Sequence, residues 1–487
     1  MTSHPDYQNK WFILASLGMG VFLATIDASI VNVALPTLVE TLQTEFAVVQ
    51  WVPLAYMLTI ASLILIMGRL GDLKGKKKIY TSGMIIFTVG SVFCGVSPTI
   101  YWLISARIFQ GLGASMMAAL GAALITEAFP DNERGKALGT IGGIVSIGIV
   151  TGPALGGILI DALSWHWIFF VNVPVGIAGI IMVITYLPNS KHRGKQSFDH
   201  IGAIILFISL LSFLVPLTVG QKIGFKSLIT LSLIGLWLLS FGLFIFWELR
   251  TADPLIDLHV FRNYLFSINL LLGFLSFFTT AGVVLLMPFF LENILGYTPH
   301  QVGLLLIAIP VSAGVISPIS GILSDRLGTR PITVVGLLFL LGGYMSLTML
   351  SQETSALEYI LRFLPIGLGL GIFQSPNNSA IMGAAPPEHL GIVSGLLSIT
   401  RTMGQTAGIA VLGAFWASRV SAYAGSEFDA GPTKTHLPAQ VSGLHDTIVA
   451  IVYVVAAALL ISIFSVMLEK KRRIKAEPGV SGRTGSS

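Results

Sequence analysis

Asp27 is the only acidic residue well inside any of the long apolar runs of this chain. A charged carboxylate at the centre of a bilayer costs about 3 kcal/mol on insertion scales, unless it is protonated, paired or open to a wet cavity. Burial disfavours the charged form of a carboxyl group, whereas a nearby Arg favours it. A carboxyl group balanced between these effects can bind and release protons. We therefore predict that Asp27 couples to protons or contacts substrate; the alternative is a permanent structural pair.

Arg107 is the predicted partner of Asp27. Asp27 lies nine residues from the outer end of its apolar run, and Arg107 lies seven from the outer end of its own. A helical rise of 1.5 Å per residue places them at depths of about 13 and 10 Å, so they can touch if the two helices adjoin. The alternative is an Arg bonded to backbone carbonyls. Two more arginines are embedded: Arg362 near the outer edge, and Arg401 about 15 Å into its apolar run, counted from the inner end at residue 391.

Several residue patterns that mark enzymes and primary pumps are absent from the chain. It has one cysteine, Cys94, which excludes an intrachain disulfide and a cysteine metal cluster. It contains no H-E-x-x-H, no G-x-S-x-G, no paired His or Cys ligands and no G-x-x-x-x-G-K-(S/T) nucleotide loop. We therefore predict neither an enzyme nor a primary pump, and no metal or cofactor.

The elements that must position these residues are membrane helices. Hydrophobic residues make up 54% of the 487 residues and charged residues 10%, whereas soluble proteins carry about 25% charged residues. The runs are continuously apolar, which excludes membrane β-strands. Fourteen of them reach the length of about 20 residues that a spanning helix needs. They lie near 11–36, 50–70, 78–97, 100–126, 138–160, 167–187, 201–220, 228–248, 264–290, 301–321, 332–350, 358–377, 391–416 and 446–468.

The basic residues predict the orientation. With the N-terminus inside, the cytoplasmic segments hold 21 Lys and Arg and the external loops hold four. We predict a multi-pass protein of the cytoplasmic membrane with both termini in the cytoplasm. The net charge of +5 therefore reflects topology, and no nucleic-acid partner is expected. The external segment from Arg419 to His445 has no coiled-coil pattern, so nothing indicates a periplasmic or outer-membrane partner.

The sequence contains an internal repeat. The loops Gly68–Lys77 and Gly321–Arg330 both fit G-x-L-x-D-x-x-G-x-(K/R) and lie 253 residues apart. Two other pairs have nearly the same offset, namely Arg107 with Arg362 at 255 residues and Pro36 with Pro288 at 252. Such repeats are common in transporters, with the substrate site between them. We predict a cytoplasmic N-terminus (1–10), a six-helix half (11–190), two inserted helices (191–262), a second six-helix half (263–468) and a disordered cytoplasmic tail (469–487).

These motifs together resemble the major facilitator superfamily, and within it the fourteen-span drug:proton antiporters of the EmrB/QacA type. The resemblance covers nearly the whole chain. It rests on the Gly68–Lys77 loop, on Arg107 with Gln110-Gly-Leu-Gly, on Gly148-x-x-x-Gly-Pro-x-x-Gly-Gly157 and on Asp27-Ala-Ser-Ile-Val-Asn-Val-Ala-Leu-Pro36. It implies an all-α integral membrane protein with the major facilitator fold, built from two six-helix repeats plus two inserted central helices.

The resemblance also implies roles for individual residues. Arg107 would relay protons with Asp27. The loop residues would form a gating latch between the halves, as opposed to a simple topology anchor: Gly68, Asp72, Gly75, Lys76, Asp325 and Gly328. The antiporter motif would form a tight helix contact, as opposed to ordinary small-residue packing: Gly148, Gly152, Pro153, Gly156 and Gly157.

The substrate cavity should be lined by polar or aromatic residues from both halves, although most such residues serve ordinary packing. The candidates are Phe22, Asn32, Tyr56, Gln110, Asn172, Phe289, Gln374, Asn377, Arg401 and Gln405. The predicted function is proton-coupled export of amphipathic small molecules, with protons and membrane lipid as the other partners. The alternatives are export of one metabolite or siderophore, proton-linked uptake, which the Gly148–Gly157 motif disfavours, and a channel or sensor. Three embedded arginines against one carboxylate leave a cationic substrate unsupported. The alternative is that backbone carbonyls and helix ends neutralise Arg362 and Arg401.

Overall fold

The computed structural model describes residues 9–130, 133–188, 199–224, 226–251, 261–383, 390–425 and 431–476. The regular structure in these ranges is helical, as the continuous apolar runs predict. Three predicted regions lie partly outside the described residues: residues 1–8 of the N-terminal segment, the start of the insertion with Lys191, Arg193 and Lys195, and residues 477–487 of the tail. Residues 469–476 of the predicted disordered tail are helical, because they continue the last helix.

Seventeen helices are numbered in chain order within the described residues. The first half contains α1 (Lys10–Thr41), α2 (Phe46–Val49), α3 (Trp51–Lys74), α4 (Lys76–Gly95), α5 (Ile100–Ala128), α6 (Arg134–Ala162), α7 (Trp167–Phe170) and α8 (Asn172–Tyr186). The insertion contains α9 (His200–Ile223) and α10 (Leu228–Glu248). The second half contains α11 (Tyr264–Phe289), continued by a π-helical turn (Phe290–Ile294), then α12 (Pro299–Leu306), α13 (Ala308–Leu327), α14 (Thr329–Leu347), α15 (Ala356–Gly383), α16 (Leu390–Ala424) and α17 (Leu437–Ala476).

Twelve helical segments within the described residues are long and apolar enough to cross a membrane, so the structure supports twelve of the fourteen predicted spans. The predicted spans at 201–220 and 391–416 lie in α9 and α16. Neither is among the twelve segments, and Ile201–Leu217 of α9 forms a shorter apolar helix. Helix α16 interrupts its apolar residues with Arg401, Gln405 and several hydroxyl side chains, which lower its apolar character.

The two halves repeat the same packing. In the first half the packed pairs are α1 with α6, α3 with α5, α4 with α5, α1 with α8 and α4 with α8. The corresponding pairs in the second half are α11 with α16, α13 with α15, α14 with α15, α11 with α17 and α14 with α17. A duplicated six-helix unit predicts this correspondence. Helices α9 and α10 pack on each other, and α9 rests against α3 and α16.

The two loops of the repeat end their helices in the same way. Gly75 follows α3 with φ +97°, and Gly328 follows α13 with φ +89°. The Gly75 N–H donates to the Gly71 carbonyl at 2.9 Å, and the Gly328 N–H donates to the Ser324 carbonyl at 2.8 Å. Residues with a Cβ avoid this backbone region, so glycine is required at both positions to let the chain turn directly into the next helix.

Replacing Gly328 by Ala should destabilise the protein although there is room for the methyl group. The nearest atom to an added Cβ is Pro331 Cδ at 4.0 Å, so the cost is backbone strain of about 1–3 kcal/mol. Thermal unfolding in detergent should show a lower melting temperature. Gly342→Ala is the matched control, because Gly342 lies inside α14 with no atom within 4 Å of its Cβ position. Equal melting temperatures for the two variants would contradict the strain argument.

Candidate functional site

Asp27 on α1 is bound by three side chains from other helices. Its Oδ2 accepts a charge-assisted bond from Arg107 Nη1 at 2.5 Å. Its Oδ1 accepts bonds from Gln110 Nε2 at 2.8 Å and from Asn172 Nδ2 at 3.1 Å. Arg107 and Gln110 are three residues apart on α5 and therefore share one face, while Asn172 begins α8. The contact between Asp27 and Arg107 that the depth estimate predicted is present.

Arg107 has further partners that fix its position. Its Nε donates to the Val52 carbonyl at 3.1 Å, and its Nη1 also donates to Gln110 Oε1 at 2.5 Å. Its guanidinium carbon lies 4.1 Å from the centre of the Tyr56 ring. Asp27 and Arg107 are both 0% exposed. Removing one charge of a buried pair costs about 3–5 kcal/mol, because the other charge loses its compensation. The buried pair therefore holds α1 and α5 together beside Tyr56.

A cavity of about 570 Å³ lies between the two halves, beside this network. Its size is within the range of roughly 300–1,000 Å³ that is usual for small-molecule sites. Its wall is mostly apolar, with Met57, Phe277 and Phe363 among the larger side chains. The polar or charged lining residues are Thr25, Ser29, Asn32, Tyr56, Ser146, Thr280, Ser317, Tyr359, Gln374, Ser398, Arg401, Thr402 and Gln405.

Half of the predicted cavity residues line this cavity. The lining includes Asn32, Tyr56, Gln374, Arg401 and Gln405. The other five predicted residues lie outside the lining, and four of them have identified contacts elsewhere. Gln110 and Asn172 bond Asp27, Asn377 donates to the Asn269 carbonyl at 3.1 Å, Phe289 packs against Phe46 with ring centroids 5.1 Å apart, and Phe22 lies outside the lining.

Tyr56 stands between the cavity and the ion pair. Its side chain lines the cavity, while its ring face covers the Arg107 guanidinium. Thr25, Ser29 and Asn32 form a polar stripe on α1 beside it, and Thr25 and Ser29 were not predicted. Their spacing of four and three residues along an otherwise apolar run is the signal that could have identified them, since it places the three residues on one helix face.

The Gly148–Gly157 motif packs against two different partners. Along one face of α6, Gly148, Gly152 and Gly156 lie against α1, and an added Cβ on Gly156 would lie 2.6 Å from Ile30 Cγ1. On the other face, an added Cβ on Gly157 would lie 2.9 Å from His300 Cα, and Pro153 contacts Gly303 of α12. The motif therefore joins the two halves at the end of the bundle where α1 and α6 finish, which we call the Gly157 end.

An aromatic cluster adds to the contact between the two halves at the Gly157 end. Phe46 of the first half contacts Phe289 and Trp416 of the second half, with ring centroids 5.1 and 4.7 Å apart. Gln50, which follows α2, lies close to Gly413 of α16. The halves are thus in direct contact at the Gly157 end, beyond the cavity.

The predicted gating residues lie at the opposite end, which we call the Asp72 end. Lys76 forms an ion pair with Asp72 at 3.6 Å and another with Glu127, so these contacts stay within the first half. In the second-half loop, Asp325 and Gly328 are exposed. Gly68 makes only a marginal approach to α5, since its Cβ position is 4.0 Å from Ala119.

The second half has a different arrangement at the position that corresponds to Asp27. There Thr280 lines the cavity and shares a hydrogen bond of 3.2 Å with the Tyr344 hydroxyl. Arg362, the repeat partner of Arg107, lies outside the cavity lining, and its Nη1 is 3.4 Å from the Ser346 carbonyl. Among the described residues, the positions of the second half that correspond to Asp27 and Arg107 form no buried ion pair with each other.

Glu292 was missed by the sequence reasoning. The predicted span ended at residue 290, but the π-helical turn extends α11 to Ile294 and places Glu292 inside the spanning segment, with its Oε1 buried. Glu292 lies two residues from the end of that segment, whereas Asp27 lies near the middle of α1. The apolar residues that flank Glu292, Leu291 and Ile294, are the signal that the apolar run continues.

Comparison with known proteins agrees with this architecture. The sequence profile of the Major Facilitator Superfamily matches residues 17–409 and 269–479. The riboflavin transporter RibZ of Clostridioides difficile is 34% identical over 421 residues, covering 85% of this chain and 90% of RibZ. The multidrug resistance protein Stp of Mycobacterium tuberculosis is 35% identical over 416 residues, covering 84% of this chain and 76% of Stp.

Solved structures show the same fold. The crystal structure of a bacterial homolog of the human lysosomal transporter Spinster, in an inward-facing and unoccupied conformation, superposes with a TM-score of 0.67 at 17% identity, covering 95% of this chain and 97% of that one. The profile match, the two relatives, the repeated helix packing and the cavity between the halves agree. This chain is a multi-pass membrane transporter that belongs to the Major Facilitator Superfamily.

Proposed function

We propose that the protein is a proton-coupled secondary exporter that moves amphipathic small molecules across the cytoplasmic membrane by alternating access. The observation that carries the proposal is the fully buried Asp27–Arg107 pair beneath Tyr56, directly beside the cavity. A carboxylate in this position can exchange its Arg partner for a proton. Tyr56 contacts Arg107 and lines the cavity, so a movement of Arg107 would change the cavity wall. The name of the Stp relative supports export of drugs.

The roles that we assign to the other residues follow their positions. Gln110 and Asn172 hold the Asp27 carboxylate and act as positioning residues. The Gly148–Gly157 motif forms the closure at the Gly157 end. The loops at Asp72 and Asp325 would form the contact between the halves when the Asp72 end closes and the Gly157 end opens. Asn32, Gln374 and Gln405 would offer hydrogen bonds to substrate in the cavity.

The proposed topology has fourteen spans and both termini in the cytoplasm. Its support is the distribution of basic residues and the length of α9 and α16, which have 24 and 35 residues and pack against spanning helices. With this orientation the Asp72 end faces the cytoplasm, and the cavity is closed toward the outside. Reporter fusions at each terminus test this orientation. A reporter that is active only in the cytoplasm should be active at both termini, and activity of a reporter that works only outside would contradict the topology.

The test of function uses purified protein in phospholipid vesicles. An acidic interior should drive uptake of a hydrophobic dye into vesicles that hold inverted molecules. A second, pH-sensitive dye inside the vesicles follows the proton movement. A release of interior protons that depends on the dye is the expected result, because antiport exchanges one for the other. Dye movement that is independent of the pH gradient would contradict proton coupling.

A second candidate is transport of one endogenous metabolite. The observation that favours it is the similarity to the riboflavin transporter RibZ, which is as strong as the similarity to Stp. Competition in the same vesicle assay separates the two. A broad exporter should be inhibited by many unrelated amphipathic compounds, whereas a dedicated transporter should be inhibited only by compounds that resemble its metabolite.

A further inference from the structure

Arg401 carries the only formal charge among the described residues that line the cavity. It projects from α16, and its guanidinium carbon lies 5.3 Å from the centre of the Phe277 ring. The guanidinium group stays protonated in proteins. The lining residues include no Asp or Glu, so the cavity wall itself supplies no carboxylate to balance this charge.

The nearby carboxylate of Asp27 does not supply the missing negative charge. It is paired with Arg107 and also accepts bonds from Gln110 and Asn172. The pair has no net charge, and the Tyr56 ring lies between Arg107 and the cavity. A substrate in the cavity therefore meets a positive field from Arg401. Such a field repels a cation and attracts an anion, and it is strong because the surroundings are largely apolar.

We infer that the cavity binds amphipathic organic anions, with Arg401 holding the anionic group. The forked guanidinium matches the geometry of a carboxylate, sulfonate or phosphate group. Gln405, one helical turn further along α16, lines the same wall and offers an amide to the anionic group, while Phe277, Met57 and Phe363 offer apolar contacts to its body. The inference deepens the proposed function, on which it rests only in taking this cavity as the substrate site.

Two fluorescent probes that differ by one charged group test the inference. The anionic 8-anilinonaphthalene-1-sulfonate and the uncharged N-phenyl-1-naphthylamine share the same aromatic body. Binding is measured to full-length protein in phosphatidylcholine nanodiscs, with protein-free nanodiscs as the blank. Arg401→Gln should lower the affinity for the sulfonate by about tenfold, since a bond to a charged group is lost. It should change the affinity for the uncharged probe by less than about twofold.

The controls separate charge from folding. Arg401→Lys keeps the charge and should retain most of the affinity for the sulfonate. Arg362→Gln removes an embedded arginine that does not line the cavity and should leave both probes unaffected. Binding of the uncharged probe by Arg401→Gln reports that the cavity is still formed. An unchanged affinity for the sulfonate in Arg401→Gln, or an equal loss for both probes, would overturn the inference.

The anionic group could also belong to a membrane lipid. Repeating the titration in nanodiscs that contain phosphatidylglycerol distinguishes the two sources. If the occupant is a soluble anion, binding of the sulfonate should be retained in these nanodiscs. If phosphatidylglycerol displaces the sulfonate, and does so only when Arg401 is present, the site binds a lipid headgroup and the inference of a soluble substrate is overturned. Failure of the proposed function has a different signature, because gradient-driven transport would then be missing in the wild type while Arg401-dependent binding persisted.

Discussion

Replacing Asp27 by Asn should abolish export driven by a pH gradient while leaving the protein folded. Asn cannot take up or release a proton, so the pH gradient can no longer drive the carrier through this position. Accumulation of substrate should fall by about tenfold or more, the scale of a typical coupling free energy. Proteoliposomes with an imposed gradient measure this directly. Exchange of labelled for unlabelled substrate at equal pH should persist, because that exchange needs only the cavity.

The variant should be less stable than the wild type, because Arg107 loses its compensating charge, but it should still fold, since the proposed cycle already passes through a neutral Asp27. Arg107 keeps the Val52 carbonyl, the Gln110 side chain and the Tyr56 ring as partners. Asp446→Asn is the matched control, since Asp446 pairs with Arg419 at 2.6 Å in a partly exposed position away from the cavity lining. It should transport normally. Gradient-driven export that survives in Asp27→Asn would remove this carboxylate from the coupling mechanism.

Replacing Gly157 by Val should force the Gly157 end open and stop export. In the closed arrangement, an added Cβ would lie 2.9 Å from His300 Cα, a separation that real Cβ atoms essentially never show. Overpacking of this kind costs about 1–3 kcal/mol, enough to shift a two-state equilibrium by roughly an order of magnitude or more. The penalty falls on the closed arrangement, because only there do α6 and α12 have to meet.

Labelling of a cysteine introduced at Leu306 measures the opening. Leu306 lines the cavity from α12, and the native Cys94 is fully buried. A membrane-impermeant maleimide added outside should label this position in the Gly157→Val background much faster than in the wild-type background. Gly143→Val is the control on the same helix, where no atom lies within 4 Å of the added Cβ. Equal labelling of all three proteins would mean that the Gly157 contact does not set the closure.

The sequence alone was sufficient for features that depend on position along the chain. Apolar length identified most spans, since a bilayer requires about 20 apolar residues per helix. The shared offset of the two loops predicted the repeat that the helix packing reproduces. The depths of Asp27 and Arg107 predicted that they could meet, because a helix converts residue number into depth at 1.5 Å per residue.

Only the tertiary structure decided which way each side chain faces. Gln110 and Asn172 turn toward Asp27, Asn377 bonds the Asn269 carbonyl, and Arg401 faces the cavity. In a soluble helix an apolar stripe marks the buried face, because the opposite face must be wetted. Lipid is as apolar as the protein interior, so a membrane helix carries little of this signal, and rotation about its axis is settled by close packing with its neighbours.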